Sequence, residues 1–366
     1  MPTKYPTLAS PIQLGSLTLK NRAVMASLTR NRASPGGVPT DLMALYYSQR
    51  CSAGLILSEG TFVEEIGGAW LNVPGLYTPA QIKGWKKVTA AVHENNSLIF
   101  AQLWHLGRVA HPHHQAGRPN VGPSAVKAEG GKFRLLADSP GYVTPAPIED
   151  PSEYVEIYRK AARAAKEAGF DGVELHAGTG YLPHQFIEAR SNKRTDKWGG
   201  SVENRARFVL EIIKACVAEW GDSKRVGIKL TPAGGYNDMG DSDDDARKQY
   251  TYLIQELDKL DIGYIQFSQG FPTAGFNSLV PLDEFRPLVK NALVFNNGGL
   301  TGDIAEDQLK GKGVVGGPIH AAVFGRDYIA NHNLLHVLQT GGEVKNADPA
   351  LYYDTADDLS LGYTDY

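Results

Sequence analysis

Cysteine is scarce in this chain of 366 residues, which contains only Cys51 and Cys216. Two cysteines so far apart favour a reducing compartment over a disulfide-stabilised secreted scaffold. A surplus of positive charge is also missing, because the net charge is -3, and this argues against nucleic acid or an anionic membrane as a partner. The sequence has no run of about 18 apolar residues to span a membrane, and its first residues lack the apolar stretch of a signal peptide. These absences predict a cytoplasmic location.

What the chain does contain is a series of short, continuously apolar runs separated by helical patterns. Such runs are typical of strands that are covered on both faces, as in parallel sheets. With two weaker runs near the ends of the chain there are eight, and eight β/α units favour a closed (β/α)8 TIM barrel, an α/β fold, over an open sheet. The predicted strands are Arg22–Ser27, Leu55–Gly60, Ser97–Trp104, Gly172–His176, Arg225–Thr231, Tyr264–Ser268, Ala292–Asn297 and His320–Arg326, and the clearest predicted helices are Tyr154–Ala168, Val202–Trp220 and Ala246–Leu260.

Two segments outside this alternation complete the predicted layout, a single domain over residues 1–366. Pro11–Leu19 has the pattern of a β-hairpin before the first strand, and we expect it to close the bottom of the barrel. Residues 104–151 show no periodicity and are rich in Pro, Gly and His, which is typical of a binding loop. We therefore expect this irregular loop to lie near the active site.

Three local motifs suggest sites that their context does not favour. Gly311-Lys-Gly-Val-Val-Gly316 has the letters of a dinucleotide-binding turn, but it follows a helical pattern instead of a strand, so we expect a plain loop. His111, His113 and His114 have no Cys or acidic partner at ligand spacing, so we predict no metal site. The acidic segment 238–245 lacks the glycine and the closing Glu of a calcium loop, and a solvated loop that caps the next helix is the better interpretation.

The ends of the predicted strands carry the functional signal. His176, Thr179 and Tyr181 follow one buried strand within six residues, and two glycines there allow a sharp turn. Carboxyl ends of parallel strands meet at one rim, so polar groups from several strands are expected to converge there. Glycines that follow the seventh and eighth predicted strands occupy the position where such barrels usually bind phosphate. The other polar groups are Thr29, Gln102 with Trp104, and Lys229, and the phosphate candidates are Gly298, Gly299, Gly325 and Arg326.

On these residues the chain resembles the Old Yellow Enzyme family of flavin-dependent ene-reductases. The resemblance extends from Leu14 to Tyr366 and is most specific in five segments. It implies a TIM barrel that binds FMN non-covalently, takes hydride from NADPH or NADH, and passes it to the β-carbon of an α,β-unsaturated carbonyl compound. We expect a monomer or a homodimer. The segments are Met25-Ala-Ser-Leu-Thr-Arg30, Gln102-Leu-Trp-His-Leu-Gly-Arg108, Val173-Glu-Leu-His-Ala-Gly-Thr-Gly-Tyr-Leu-Pro-His-Gln-Phe186, Asp196-Lys-Trp-Gly-Gly-Ser-Val-Glu-Asn-Arg205 and Phe324-Gly-Arg326.

The same resemblance implies a role for each site residue. Tyr181 would protonate the α-carbon, and His176 with Thr179 would hydrogen-bond the carbonyl oxygen, as an oxyanion hole does. Trp104 and Tyr353 would wall the substrate pocket. The residues implied at the flavin are Ala26, Ser27 and Gly60 by backbone contact, Thr29 near O4, Gln102 at the pyrimidine ring, His176, Lys229 on the N1 side, and Gly298, Gly299, Gly325 and Arg326 at the phosphate.

Several positions depart from the family pattern. Thr179 stands where the family usually has Asn or His, and its hydroxyl is shorter and offers one donor. Lys229 replaces the usual Arg, which keeps the charge but loses the planar fork. Ser27 replaces a common Pro, His332 stands in an Asn-Pro-Asp position, and the segment 311–318 is atypical. These departures motivate the hypothesis of a specialised member that acts in secondary metabolism on one enal or enone.

Three other functions stay open at this point. A flavin-bound isomerase or cyclase would use the same pocket without net consumption of NADPH. A degenerate barrel would bind flavin without catalysis, although the retained Tyr181, His176 and phosphate glycines argue against it. On fold alone a phosphate-sugar lyase is the next candidate, but no Schiff-base lysine signature exists beyond Lys229.

Overall fold

Eight parallel strands close into a barrel, as the apolar runs predict. The computed structural model describes residues 4–68, 70–130, 141–269, 279–353 and 358–366. Strands β3, β4, β5, β8, β9, β10, β11 and β12 follow one another around the barrel in chain order, and β12 pairs with β3 to close it. The strands are β1 (Ile12–Leu14), β2 (Leu17–Leu19), β3 (Ala23–Met25), β4 (Leu55–Phe62), β5 (Ile99–Trp104), β6 (Val121–Gly122), β7 (Ala146–Pro147), β8 (Gly172–Ala177), β9 (Val226–Leu230), β10 (Tyr264–Ser268), β11 (Leu293–Asn297) and β12 (Ala321–Phe324).

Helices pack around the outside of this barrel. Residues that point outward from the strands, such as Val173 and Leu175, share one large core with apolar residues of the helices, such as Val209 and Ile212. Both faces of the sheet are therefore covered, which explains the continuously apolar strands. The helices are α1 (Asp41–Gln49), α2 (Pro79–Glu94), α3 (Pro151–Glu167), α4 (Leu182–Ile187), α5 (Val202–Trp220), α6 (Asp243–Lys259), α7 (Pro281–Phe285), α8 (Gly302–Leu309), α9 (Asp327–Ala330) and α10 (Leu334–Thr340).

The predicted boundaries differ most at the beginnings of two helices. Helix α5 has the predicted bounds, whereas α3 and α6 begin three residues earlier than their apolar periodicity indicates. The reason is capping: the side chain of Asp150 accepts a hydrogen bond from the N–H of Ser152, and Ser242 accepts one from Asp245. Each helix starts directly after its cap, where no apolar residue is needed.

The hairpin before the first barrel strand closes the bottom of the barrel, as predicted. Strands β1 and β2 pair in antiparallel fashion. Leu14 and Leu19 are fully buried and form one cluster with Phe100, Tyr264 and Phe295, which fill the lower barrel interior. The hairpin thus completes the apolar floor beneath the polar groups of the upper interior.

The remaining sequence-based expectations have mixed outcomes. The loop 104–151 is largely irregular where it is described, but it contains the short parallel pair β6 and β7, which we did not predict. Gly311–Gly316 lies in turns after α8, so the expectation of a loop is confirmed. The interpretation of 238–245 as a solvated loop is wrong for Asp238, because the backbone and carboxylate of this residue accept hydrogen bonds from Arg108 and Arg190.

Two further observations concern metals and membranes. In the described ranges, no group of three or more His, Cys, Asp or Glu side chains is placed to hold a metal ion. Within the same ranges, none of the helices has the length and apolar character needed to cross a membrane.

Candidate active site

Two joined cavities open at the carboxyl ends of the barrel strands. The larger has a volume of about 460 Å³ and the smaller about 170 Å³, and both are lined by Ser27, Thr29, Lys229 and Asn297. Every residue assigned from the sequence to the flavin or the substrate lines one of the two, so the structure brings this predicted set together. The larger is lined by Ala26, Ser27, Thr29, Lys229, Gly298, Gly299, Gly325, Arg326 and Tyr353, and the smaller by Ser27, Thr29, Gly60, Gln102, Trp104, His176, Thr179, Tyr181 and Lys229.

One end of the larger cavity has the chemistry of an anion site. Gly298 and Gly299 follow β11 with φ angles of +127° and +63°, which favour glycine. Arg326 follows β12, and its guanidinium carbon lies 5.8 Å from the ring centre of Tyr352. Glycine backbone beside a planar cation suits a phosphate group.

A hydrogen-bonded polar layer lies where the two cavities meet. Ser27 Oγ donates to Gln102 Oε1 at 2.7 Å, and Gln102 Nε2 donates to Glu174 Oε1 at 2.7 Å. The hydroxyl of Tyr264 donates to the other oxygen of Glu174 at 3.0 Å. Burial lowers the pKa of Lys229 on the neighbouring strand, while the negative charge of Glu174 opposes this shift. The layer therefore presents an amide and an amine to the cavity.

The smaller cavity is bounded by an aromatic group around Tyr181. Its ring centre lies 4.8 Å from that of His176 and 5.0 Å from that of Trp104, edge to face in both cases. Burial, reinforced by the charge of Lys229, lowers the pKa of His176 well below its usual value, so the imidazole is neutral. Burial and the neighbouring Tyr236 raise the pKa of Tyr181, so its phenol keeps its proton. The pair offers a neutral hydrogen-bond donor and a proton source side by side.

The turn that contains Thr179 is stabilised by a hydrogen-bond network that was not predicted from the sequence. Thr179 has a φ of +58°, an unusual conformation for a β-branched residue. Asn237 Nδ2 donates to the carbonyl oxygen of Thr179 at 2.8 Å. The N–H of Gly180 donates to His184 Nδ1 at 2.8 Å, which leaves Nε2 as the donor to Glu188 Oε1 at 2.8 Å. Hydrogen bonds on both sides, one of them fully buried, thus fix the backbone of this turn.

Tyr352 and Tyr353 form one wall of the larger cavity, and two buried arginines stabilise this wall through hydrogen bonds to its backbone. Arg30 Nε donates to the carbonyl of Tyr352 at 2.9 Å, and Arg32 Nη1 donates to the same oxygen at 3.2 Å. Arg30 also donates to the carbonyl of Gly362. Both arginine residues are about 1% exposed, so these contacts form inside the protein. The segment after the eighth barrel strand is therefore part of the site.

Sequence reasoning missed several residues that line the cavities. Asn297 is the last residue of β11 and directly precedes the glycine pair, so its position at a strand end could have identified it. Tyr236 lies in the turn-rich segment after β9, where no periodic pattern marks it. The missed lining residues are Leu28, Arg30, Tyr236, Ser268, Asn297, Leu300, Phe324, Asp327, Ile329, Val323 and Tyr352.

The arrangement of these groups fits FMN. The glycines and Arg326 at one end suit a phosphate, while Gln102 and Lys229 at the other suit a polar, electron-accepting ring system. A volume of about 460 Å³ is within the usual range for a cofactor cavity. Gly60 lets Trp104 lie against the strand, since a Cβ there would be 2.5 Å from the indole ring.

Comparison with known proteins agrees with this assignment. The family model described as the NADH:flavin oxidoreductase / NADH oxidase family matches residues 7–344. The chain belongs to this family. The NADP-dependent oxidoreductase lnbE of Aspergillus flavus is 39% identical, with 98% of this chain and 95% of the relative covered. The 12-oxophytodienoate reductase 1 of Oryza sativa subsp. japonica is 36% identical, with 98% and 92% covered.

Solved structures show the same relationship. The old yellow enzyme homologue from Zymomonas mobilis has a TM-score of 0.90 at 34% identity and covers 99% of both chains. Morphinone reductase has a TM-score of 0.90 at 38% identity, with 100% of this chain and 97% of the other covered. The expectation of an FMN-dependent ene-reductase of the Old Yellow Enzyme family, with a nicotinamide hydride donor and a closed (β/α)8 barrel, is confirmed.

Proposed function

We propose that this enzyme reduces a bulky enone or enal, with His176 activating the carbonyl and Tyr181 protonating the α-carbon. The observation that carries the proposal is the neutral imidazole of His176 beside the un-ionised phenol of Tyr181, with ring centres 4.8 Å apart in the smaller cavity. The hydride chemistry, from a nicotinamide donor to the β-carbon of an activated alkene, is that of bound FMN. The protein residues orient the substrate, polarise its carbonyl and supply the proton.

The residues of the larger cavity would hold the cofactor. Arg326 and the backbone of Gly298, Gly299 and Gly325 would bind the phosphate. Thr29, Gln102 and Lys229 would hydrogen-bond the polar edge of the ring system, and Ala26, Ser27 and Gly60 would lie along it. The location of Lys229 where the two cavities meet supports this orientation, because it places a cation at the end remote from the phosphate.

Aromatic rings at the walls of the two cavities support a substrate with an extended apolar part. Trp104 packs against Phe62 with ring centres 5.0 Å apart, and Tyr353 packs against Trp70 at 4.8 Å. Together with Tyr181 these rings give the two cavities apolar contact area beside polar lining residues such as Gln102 and Asn297. The rings therefore favour a compound that has an apolar part next to its carbonyl group.

A turnover assay tests the proposed function. After the FMN content has been measured, a panel of enals and enones is incubated with the enzyme, with and without NADPH. We expect one NADPH to be oxidised per alkene reduced, with bulky apolar substrates turned over faster than cyclohexenone. Conversion to an isomer without NADPH would support the isomerase alternative, and rapid, broad turnover of simple enones would argue against specialisation.

Thr179→Asn is expected to raise both the turnover of simple enones and the stability of the fold. Asparagine tolerates the left-handed backbone of this position, so relief of the unfavourable conformation should add about 1 kcal/mol to the free energy of unfolding. Its amide also reaches further towards a carbonyl than the threonine hydroxyl. The measurements are kcat/KM for cyclohexenone and urea unfolding.

Thr179→Ser is the matched control, because it keeps the hydroxyl without adding an amide. We expect this variant to leave the turnover of cyclohexenone close to that of the wild type. If Thr179→Asn also left the rate unchanged or lowered it, Thr179 would lie outside the carbonyl-binding site.

A further inference from the structure

Glu174 is a fully buried carboxyl group directly below the proposed cofactor site. It lies on β8 two residues before His176, and its outward-pointing neighbours Val173 and Leu175 belong to the core between strands and helices. Because side chains alternate along a strand, Glu174 points into the barrel on the same side as His176. Its exposure is 0%. An acid in this position is costly for folding unless other groups compensate for its lost hydration.

Both oxygens of Glu174 have donors from other strands. Gln102 Nε2 on β5 donates to one oxygen at 2.7 Å, and the hydroxyl of Tyr264 on β10 donates to the other at 3.0 Å. An ionised carboxylate only accepts hydrogen bonds, so it determines which end of the Gln102 amide faces it. Ser27 donates to the remaining oxygen of that amide at 2.7 Å. Gln102 is therefore held in one orientation.

Glu174 also acts electrostatically on Lys229, which lies on the neighbouring strand β9 in register with His176. Burial raises the pKa of Glu174, and the charge of Lys229 is the first influence that opposes this rise. Among the charges acting on Lys229, that of Glu174 is in turn the one that opposes the effect of burial on its pKa. A pair of opposite charges inside a barrel is weak support for a fold, since apolar residues of similar size often serve as well. Its presence below the cavity points to a functional purpose.

We propose that Glu174 is a positioning residue that balances the charge of Lys229 and fixes the amide of Gln102, and thereby sets the reduction potential of bound FMN. The inference rests on the proposed binding of FMN against Gln102 and Lys229. A cation near the ring system favours the reduced, more negative form of the cofactor, and a nearby carboxylate partly cancels that preference. Glu174 thus keeps the reduction potential of bound FMN low enough for reduced FMN to transfer hydride to the alkene.

Glu174→Gln tests this role, with the reduction potential as the readout. The introduced amide can still accept from Gln102 and donate to Tyr264, so the polar layer is preserved while one negative charge is removed. We expect the binding of reduced FMN to strengthen about tenfold relative to oxidised FMN, which for a two-electron couple is a rise of about 30 mV. The potential is measured by equilibrium titration against a reference dye, and the affinity for oxidised FMN by reconstitution of the FMN-free protein.

Two further variants separate charge from structure. Glu174→Asp keeps the charge but withdraws it from Gln102, so the potential should stay close to that of the wild type. Introducing Glu174→Gln into a Lys229→Arg background guarantees that the cation stays protonated, and the potential should rise there as well. An unchanged or lowered potential in both Glu174→Gln proteins, with FMN bound, overturns the inference. Failure of the wild type to bind FMN would instead contradict the proposed cofactor site.

Discussion

Tyr181→Phe is expected to slow reduction of the alkene by about 10²–10⁴-fold, while NADPH reduces the bound FMN at the wild-type rate. The substitution keeps the ring that packs edge to face against His176 and Trp104, and it removes only the hydroxyl. Because the raised pKa of Tyr181 keeps that hydroxyl protonated, it can serve as the acid throughout the neutral pH range. Reduction of the cofactor by NADPH needs no such acid.

Rapid-mixing experiments on the two half-reactions measure this effect directly. The absorbance of the flavin follows its reduction by NADPH in one experiment and its reoxidation by the alkene in the other. Tyr158→Phe is a suitable control, because Tyr158 is a buried tyrosine on α3 that lies outside both cavities. An equal loss in both half-reactions would show that Tyr181 shapes the pocket instead of donating the proton.

Arg326→Gln is expected to weaken the binding of FMN by about 10–100-fold. A hydrogen bond to a charged group contributes about 1.5–3 kcal/mol, and each 1.4 kcal/mol changes an affinity about tenfold. Arg326 is exposed towards the cavity, so the glutamine can occupy its place without disturbing the core. The affinity is measured by titrating the FMN-free protein and following the quenching of flavin fluorescence.

Riboflavin provides the internal control for this experiment, because it has the same ring system and no phosphate. The affinity for riboflavin should be nearly the same in the wild type and in Arg326→Gln. Arg163→Gln is the matched protein control, since Arg163 pairs with Glu219 on the outer surface, away from the proposed phosphate site. If riboflavin and FMN weakened equally in Arg326→Gln, the phosphate would bind elsewhere.

The architecture of this enzyme could be predicted from the sequence because its strands are apolar on both faces. Each barrel strand lies within two residues of its predicted bounds. All three of the clearest predicted helices are present, and α5 has the predicted bounds at both ends. The strand ends then located the site, since parallel strands place their carboxyl ends at a common rim. The starts of α3 and α6 were misplaced because single capping residues determine them, and such residues leave no periodic signal.

The interior of the site was less accessible to sequence reasoning. Glu174 could be placed on a strand, but its partners Gln102 and Tyr264 come from distant parts of the chain. The left-handed backbone of Thr179 depends on Asn237, which is 58 residues further along the chain. Such contacts are set by the packing of complete elements, and a local pattern carries no information about them. The sequence motif around His176 and Tyr181 predicted the type of reaction, and the structure showed the hydrogen bonds that position the motif.

The arginines behind Tyr352 have a consequence for biosynthesis. Domains can begin to fold as they leave the ribosome. A nascent chain that has emerged only through the eighth barrel strand would contain Arg30 and Arg32, but not the carbonyl groups of Tyr352 and Gly362 to which these arginines donate. The two buried guanidinium groups would then lack most of their backbone acceptors, and one wall of the cofactor cavity would be missing. Capture of FMN should therefore follow synthesis of the segment 351–363.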